Sequence, residues 1–258
     1  MNKTFLGRTA LITGAGSGIG RETALSMSRE GTFIIVLDLN ELQAQETVEL
    51  IHVAGGNALL SICDIADHIE TKRVVANILK QRPIDILINN AGIGYVGSLE
   101  QTSEADLDRL YNVNVKGVYN MMHAVISSMK ERQYGMIVNL VSIASSVGIA
   151  ERFAYSMTKG AVLTMTYSVA KDYINEGIRC NCISPARVHT PFVDNFIEKN
   201  YPHNPQEIFD TLSQSQPIGR MGTVAEIAAL ITYLSSDVSA FITGCNFPID
   251  GGFVTLNN

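Results

Sequence analysis

The sequence predicts an α/β protein: a doubly wound, seven-stranded parallel sheet with helices on both faces. Three observations lead there. Short apolar runs alternate with segments of helical spacing, the pattern of strands covered by helices on both sides. A glycine-rich turn, Gly14-Ala-Gly-Ser-Gly-Ile-Gly20, sits between the first run and the first helical segment. Polar or small residues recur where successive strands end: Gly14, Asp38, Asp64 and Asn90. In a parallel sheet those ends share one edge, the edge at which such sheets bind ligands.

The elements follow in order. Arg8-Thr-Ala-Leu-Ile-Thr13 is a first strand, and Arg21 to Glu30, with Ala24, Leu25 and Met27, is a helix. In the turn between them Gly14 permits tight reversal, Gly18 lets backbone approach a phosphate, and Gly20 allows close helix packing. The helix start offers free N–H groups to a pyrophosphate. Thr32-Phe-Ile-Ile-Val-Leu37 is the second strand, and Asp38 follows, 18 residues past Gly20. A carboxylate there accepts hydrogen bonds from an adenosine ribose and repels a ribose 2′-phosphate. With no Arg or Lys in the glycine turn or directly after Asp38, the charges favour NAD over NADP. Asp38 also suits a helix N-cap.

Glu41 to Ala54 reads as a helix closed by Gly55-Gly56, Ala58 to Cys63 as a third strand, and Asp67 to Lys80 as a helix. Ile84 to Asn89 is a fourth strand. Thr102 to Lys130 is a long helical region with Asn112 and Asn114 inside it, where Asn is mildly unfavourable. Met136 to Val141 is a buried strand. The segment from Tyr155 to about Asn175 is a helix, and Gly177 to Ile183 a sixth strand. Phe192 to Gln216 is polar and interrupted by Tyr201-Pro-His-Asn-Pro205, which reads as a mobile helical insertion over the site, spanning about 189–216 with its approach. Thr223 with Glu226 three residues on is a capping box opening a helix to Ser235. Gly244 to Ile249 is the seventh strand, followed by Asp250-Gly-Gly. No repeat, linker or low-complexity tract interrupts the 258 residues, so a single dinucleotide-binding and catalytic domain over 1–258 is expected.

A net charge of −6 without a basic block argues against nucleic acid or an anionic membrane as partner. No apolar run reaches transmembrane length, and the opening Met-Asn-Lys-Thr-Phe-Leu-Gly-Arg is too short and polar for a signal peptide. Cys63, Cys180, Cys182 and Cys245 form no Cys-x-x-Cys pair and sit in apolar runs, as small buried hydrophobes rather than metal ligands. A cytoplasmic location and no metal are the expectations.

The chemistry gathers between Ser142 and Lys159. Tyr155 and Lys159 are four apart, one turn on one helix face. Ser142 ends the preceding strand. A phenol titrates near 10, and a neighbouring ammonium lowers that value; three units correspond to roughly 4 kcal/mol. Tyr155 so tuned could pass a proton to or from an alcohol or carbonyl oxygen that Ser142 holds.

With these residues in place, the chain resembles the short-chain dehydrogenases/reductases of the soluble, single-domain, NAD-dependent type, over nearly its whole length. The resemblance rests on Thr13-Gly-Ala-Gly-Ser-Gly-Ile-Gly20, Asp64, Asn89-Asn-Ala-Gly92, Asn114, Ser142, Tyr155-Ser-Met-Thr-Lys159 and the closing Asp250-Gly-Gly. It implies a Rossmann fold and a homotetramer. It implies Tyr155 as general acid/base, Lys159 lowering its pKa and binding the nicotinamide ribose, and Ser142 orienting the substrate oxygen. Asn114 would hold a water linking Lys159 to solvent. Gly14, Ser17, Gly18, Ile19, Gly20 and Asp38 would hold the cofactor at one end, Asp64 and Ile65 would flank adenine, Asn90, Ala91 and Gly92 would line the site, and Val188 and Thr190 would hold the carboxamide. One departure stands out: the family usually has Pro-Gly after the sixth strand, and here it is Pro185-Ala186, acceptable unless that position needs positive φ.

For substrate, Arg152 and Arg187 flank the expected space, and Arg binds carboxylates bidentately. Arg152 is placed as in 3-hydroxybutyrate-type members of the family. The stretch from Ala186 to Arg220 resembles bacterial sugar and sugar-acid dehydrogenases acting on compounds such as a 2-keto-3-deoxy sugar acid. His189, Glu151 and Asn195 could add hydrogen bonds to hydroxyls. The expectation is oxidation of a secondary alcohol in a hydroxylated acid, with surface salt bridges as the bland alternative for both arginines. A sugar-nucleotide epimerase or dehydratase is disfavoured, since about 100 residues past Lys159 leave little room for a substrate domain. A cofactor sensor without turnover is disfavoured because Asn114, Ser142, Tyr155 and Lys159 are all present.

Overall fold

The computed structural model describes residues 5–256. Seven parallel strands form one sheet in the order β3-β2-β1-β4-β5-β6-β7: β1 Thr9–Thr13, β2 Phe33–Asp38, β3 Asn57–Ile62, β4 Ile86–Asn89, β5 Gly135–Leu140, β6 Ile178–Pro185 and β7 Asn246–Ile249. Helices α1 (Gly18–Arg29), α2 (Glu41–Val53) and α9 (Val224–Ser235) accompany one face. Helices α3 (His68–Leu79), α4 (Glu104–Tyr111), α5 (Gly117–Glu131) and α6 (Phe153–Tyr173) accompany the other.

Strand alternation sorts the core into two layers. Ala10, Ile12, Ile34 and Val36 pack with Ala24, Met27, Ile227 and Ile231 on one face. Leu11, Ile35, Leu87 and Ile137 pack with Val75, Met121, Val125 and Val162 on the other. Because all strands run parallel and in close register, their C-terminal residues line a single edge: Thr13 stands opposite Leu37, and Asn89 opposite Asn139. A crossover reverses sides between β1 and β4, and the crevice opens there.

Two expectations change. The first helix starts at Gly18, three residues early, so Gly18 and Gly20 belong to its first turn. The long region from Thr102 to Lys130 is two helices joined by a single π-helical turn, Asn112–Lys116. Such a turn shifts the ladder by one residue and is often found at functional sites. It seats Asn114 with 1% exposure. The insertion forms α7 (Pro191–Asn200) and α8 (Pro205–Gln214), broken where the two prolines stand, with proline tolerated in the first turn of each. Thr223 and Glu226 make both bonds of the expected capping box.

Candidate active site

The glycine turn is held from below. Asn90 donates its amide to the carbonyls of Thr13 and Gly14, at 2.9 and 3.0 Å, and Thr13 Oγ1 accepts the N–H groups of Asn90 and Ala91, both at 3.0 Å. Gly14 has φ +63°, and a Cβ there would lie 2.9 Å from Ala91 Cα; a Cβ on Gly20 would strike the Gly14 carbonyl. Glycine is therefore required at both positions. Ser17 stands at the N-cap of α1 without spending its side chain on the cap, so the first N–H groups of the helix remain open to an anion. Ile19 turns its side chain to the core. Beside this helix start lies a cavity of about 300 Å³ lined by Ser17, Gly18, Thr190, Pro191 and Asp194 among others.

At the end of β2, Asp38 accepts the Gly16 N–H on Oδ2 (2.8 Å) and the Asn40 N–H on Oδ1 (2.9 Å). The carboxylate is thereby fixed at the crevice edge. Arg21, the cation nearest the turn in sequence, is turned away: it bonds Thr47, the Gln43 carbonyl and Glu46, the last at 2.8 Å. A glycine cradle, open helix N–H groups and a fixed carboxylate one strand over fit the pyrophosphate and the adenosine ribose of a dinucleotide.

Some expected cofactor residues are placed differently. Ile65 is buried in the second core layer, its side chain close against Gly117, so it cannot flank an adenine with that side chain. Asp64 is exposed and accepts the Ala66 N–H at 2.9 Å. Val188 is buried and bridges in parallel to Gly222. Thr190 caps α7 through Oγ1 and faces the glycine turn, 3.8 Å from where a Gly18 Cβ would stand. Ala186 is not among the positive-φ residues, so alanine fits where the family carries glycine.

The three chemical residues meet. Ser142 follows β5, in extended backbone opening a 3₁₀ turn, and its Oγ accepts the Ala144 N–H at 3.2 Å. The Tyr155 hydroxyl lies near enough to the Ser142 side chain for that hydroxyl to act on its titration. Lys159 lies one turn along α6, its ammonium 5.7 Å from the Tyr155 ring centre and bonded to the Leu140 carbonyl at 2.9 Å. A Cβ on Gly92 would sit 3.5 Å from that ammonium, so the loop after β4 forms its far wall.

Burial works against the expected lowering of the phenol. Burial pushes Tyr155 above its usual value, while Ser142 and the Arg152 charge pull it back. Lys159 is itself pushed down to about 8 by burial, being 6% exposed with a carbonyl and no carboxylate as partner.

Asn114 spends its amide on protein. Its Oδ1 accepts the Ile93 N–H (2.8 Å), and its Nδ2 donates to the Ile93 carbonyl (2.9 Å) and to Thr158 Oγ1 (3.1 Å). Thr158 in turn donates to the Tyr155 carbonyl. Asn114 therefore ties the π-helical turn, the loop after Gly92 and the Tyr155 helix together, with no direct bond to Lys159.

Arg152 and Arg187 come close enough for the charge of one to push the other down, adding to the burial of Arg187. Among the described residues neither has a carboxylate partner. Arg152 bonds the carbonyl of Glu151, and Arg187 donates Nε to Ser215 Oγ at 3.0 Å. Glu151 holds φ +56° next to this pair, an uncommon conformation for a residue with a Cβ. His189 bonds Asp194 at 2.9 Å and meets Phe209 edge-on; Asn195 is exposed.

Sequence reasoning missed Thr13, Thr158 and Ser215. Each is a hydroxyl whose partners lie on other elements, and no spacing rule marks it. The Thr within Thr13-Gly14 and the residue before Lys159 were in view as motif members, but without a role.

A parallel sheet with a glycine cradle, a fixed carboxylate and a Ser-Tyr-Lys cluster at one edge defines a class: oxidoreductases that use a nicotinamide cofactor. A family model described as enoyl-(acyl carrier protein) reductase matches residues 14–254. The chain is 35% identical to the 2-keto-3-deoxy-L-fuconate dehydrogenase of Xanthomonas campestris over 253 residues, 98% of this chain and 82% of that one. It is 37% identical to dehydrogenase/reductase SDR family member 6 of Rattus norvegicus, covering 96% of this chain and 97% of that one. A solved structure of NAD⁺-bound xylitol dehydrogenase superposes with a TM-score of 0.90 at 32% identity, covering 97% and 100% of the two chains. The chain belongs to the short-chain dehydrogenase/reductase family and is an oxidoreductase. Among the described residues no helix is long and apolar enough to cross a membrane.

Proposed function

We propose that this enzyme interconverts a secondary alcohol and a ketone on a hydroxylated acid, with NAD as cofactor. The observation that carries the reading is the Arg152–Arg187 pair: two guanidinium groups close together, without a carboxylate of the chain between them, on the same side of the site as Tyr155. Bringing like charges together costs free energy that an anion bound between them would recover. A substrate carboxylate there leaves the reacting carbon towards Tyr155 and Ser142.

NAD supplies the hydride acceptor when bound. Gly14, Ser17, Gly18 and Gly20 would cradle its pyrophosphate, Asp38 its adenosine ribose, and Lys159, Gly92 and Thr190 its other half; Ala91 and Asn90 brace that wall. The fixed Asp38 carboxylate, with Arg21 occupied by Glu46, supports NAD over NADP. Ser142 orients the substrate oxygen while Tyr155 exchanges the proton at its hydroxyl. The phenol is protonated at neutral pH, ready to donate to a ketone; oxidation needs it as base and gains from alkaline pH. Asn114 keeps the Tyr155 helix in register. A single catalytic unit with α7 and α8 as its substrate flap fits the arrangement. A homotetramer is the family's expectation, and a cytoplasmic location is the one the composition suggests.

A sugar acid of the 2-keto-3-deoxy type and a 3-hydroxybutyrate-type acid are the two substrate classes to separate. The 35% identity to a 2-keto-3-deoxy-L-fuconate dehydrogenase supports the first. A panel of hydroxy acids and neutral sugars, followed by NADH absorbance, tests the reading with Arg152→Met and Arg187→Met alongside wild type. Loss of acid turnover by tenfold or more, with neutral alcohols spared, is expected, since a charged hydrogen bond contributes roughly 1.5–3 kcal/mol. Unchanged acid kinetics in both variants would refute it.

A further inference from the structure

Ser215 and Gln216, directly after α8, have no part in the hydride chemistry, yet Ser215 is the only hydrogen-bond partner of Arg187's side chain among the described residues, and Gln216 bonds Ser215. Ser215 Oγ is saturated: it donates its one proton to the Leu212 carbonyl (2.7 Å), and accepts from Arg187 Nε (3.0 Å) and from Gln216 Nε2 (3.0 Å). Because that proton is committed to helix α8, Gln216 must approach through its N–H, which leaves its carbonyl Oε1 buried without a partner in a residue only 2% exposed. An orphaned buried acceptor is costly. Its orientation is retained where it holds the hydroxyl in place. With Nε engaged, the guanidinium is held about its stem, and among the described residues its two terminal NH₂ groups have no bonded partner, with the Arg152 charge nearby.

We propose that Ser215 is a positioning residue for acid recognition: backed by Gln216, it fixes Arg187 from helix α8 so that the guanidinium meets a substrate carboxylate edge-on. This rests on the acid-substrate reading above and deepens it. Selectivity for acids over neutral alcohols is then set partly by the seating of α8, far along the chain from Tyr155.

The test measures binding of gluconate and of 3-hydroxybutyrate, and of their carboxamides, to the enzyme saturated with NADH, by calorimetry. The proteins are wild type, Ser215→Ala, Ser215→Thr, Arg187→Met and the Ser215→Ala/Arg187→Met double variant. Expected are roughly tenfold weaker acid binding in Ser215→Ala, since the lost bond involves a charged donor, recovery in Ser215→Thr, and unchanged amide binding. In the Arg187→Met background Ser215→Ala should add nothing, because its effect passes through that side chain. Equal weakening for the amides, a full Ser215→Ala effect on top of Arg187→Met, or no effect of Ser215→Ala while Arg187→Met weakens acid binding would each overturn this inference alone. Wild type that binds neither acid, or Arg187→Met that binds both as well as wild type, would overturn the acid reading and this inference with it.

Discussion

Lys159 is expected to destabilise the fold it serves. The residue is 6% exposed, its ammonium donates to no carboxylate among the described residues, and burial pushes it from 10.5 down to about 8. That gap corresponds to roughly 3 kcal/mol between the two protonation states. At pH 7 folded and unfolded chains both hold the proton, and the folded one bears the burial cost. Between about pH 8 and 10.5 the unfolded chain holds more of the proton than the folded one, so stability rises with pH and the cost disappears. Lys159→Met has no such titration. Its stability margin over wild type should therefore be larger at pH 7 than at pH 10.5 by roughly 3 kcal/mol. Losing the bond to the Leu140 carbonyl offsets the margin by about 1 kcal/mol, independent of pH. Urea denaturation of both proteins followed by circular dichroism across that range reads the difference, with other titrations cancelling between them. A margin that stays flat, or that grows as pH rises, refutes the reasoning. The same variant should have lost most of its turnover.

Two further outcomes follow from the site. Tyr155→Phe should lower kcat by a factor of about 10² to 10⁴ while NADH binding, followed by fluorescence, stays within about twofold, since only the proton-transferring hydroxyl is removed. Wild-type oxidation should climb with pH as the raised phenol gives up its proton, a rise the variant lacks; comparable turnover in the two proteins would remove Tyr155 from the chemistry. Asp38→Ala takes away the carboxylate that a ribose 2′-phosphate would face. The ratio of kcat/KM with NADP to that with NAD should rise about tenfold or more, by the repulsion of like charges at close range, and an unmoved ratio would free cofactor choice from Asp38.

The sheet, its order of elements and the meeting of Ser142, Tyr155 and Lys159 were legible because local rules carry them. Short apolar runs such as Ile84 to Asn89, bounded by turn and helix signals, read as strands, glycine at 14 and 20 meets a steric demand no other residue can, and four residues make about one helical turn. The direction of the Ile65 side chain was not legible because a residue after a strand can face either way, and only the bulk-free Gly117 on α5 shows which. The π-helical turn at Asn114 and the clamp of Asn90 on Thr13 and Gly14 join segments far apart in the chain.

Sequence alone determined that a glycine turn opens at one sheet edge and that a phenol lies one helical turn from an amine, because spacing and steric need are local properties. Only the tertiary structure decided how those groups are charged and held: that burial lifts the phenol and depresses the ammonium, that the Arg152 charge pulls the phenol back, and that Ser215, at the end of α8, holds Arg187. Desolvation and charge coupling depend on what surrounds a group in space, and residues distant along the chain supply those surroundings.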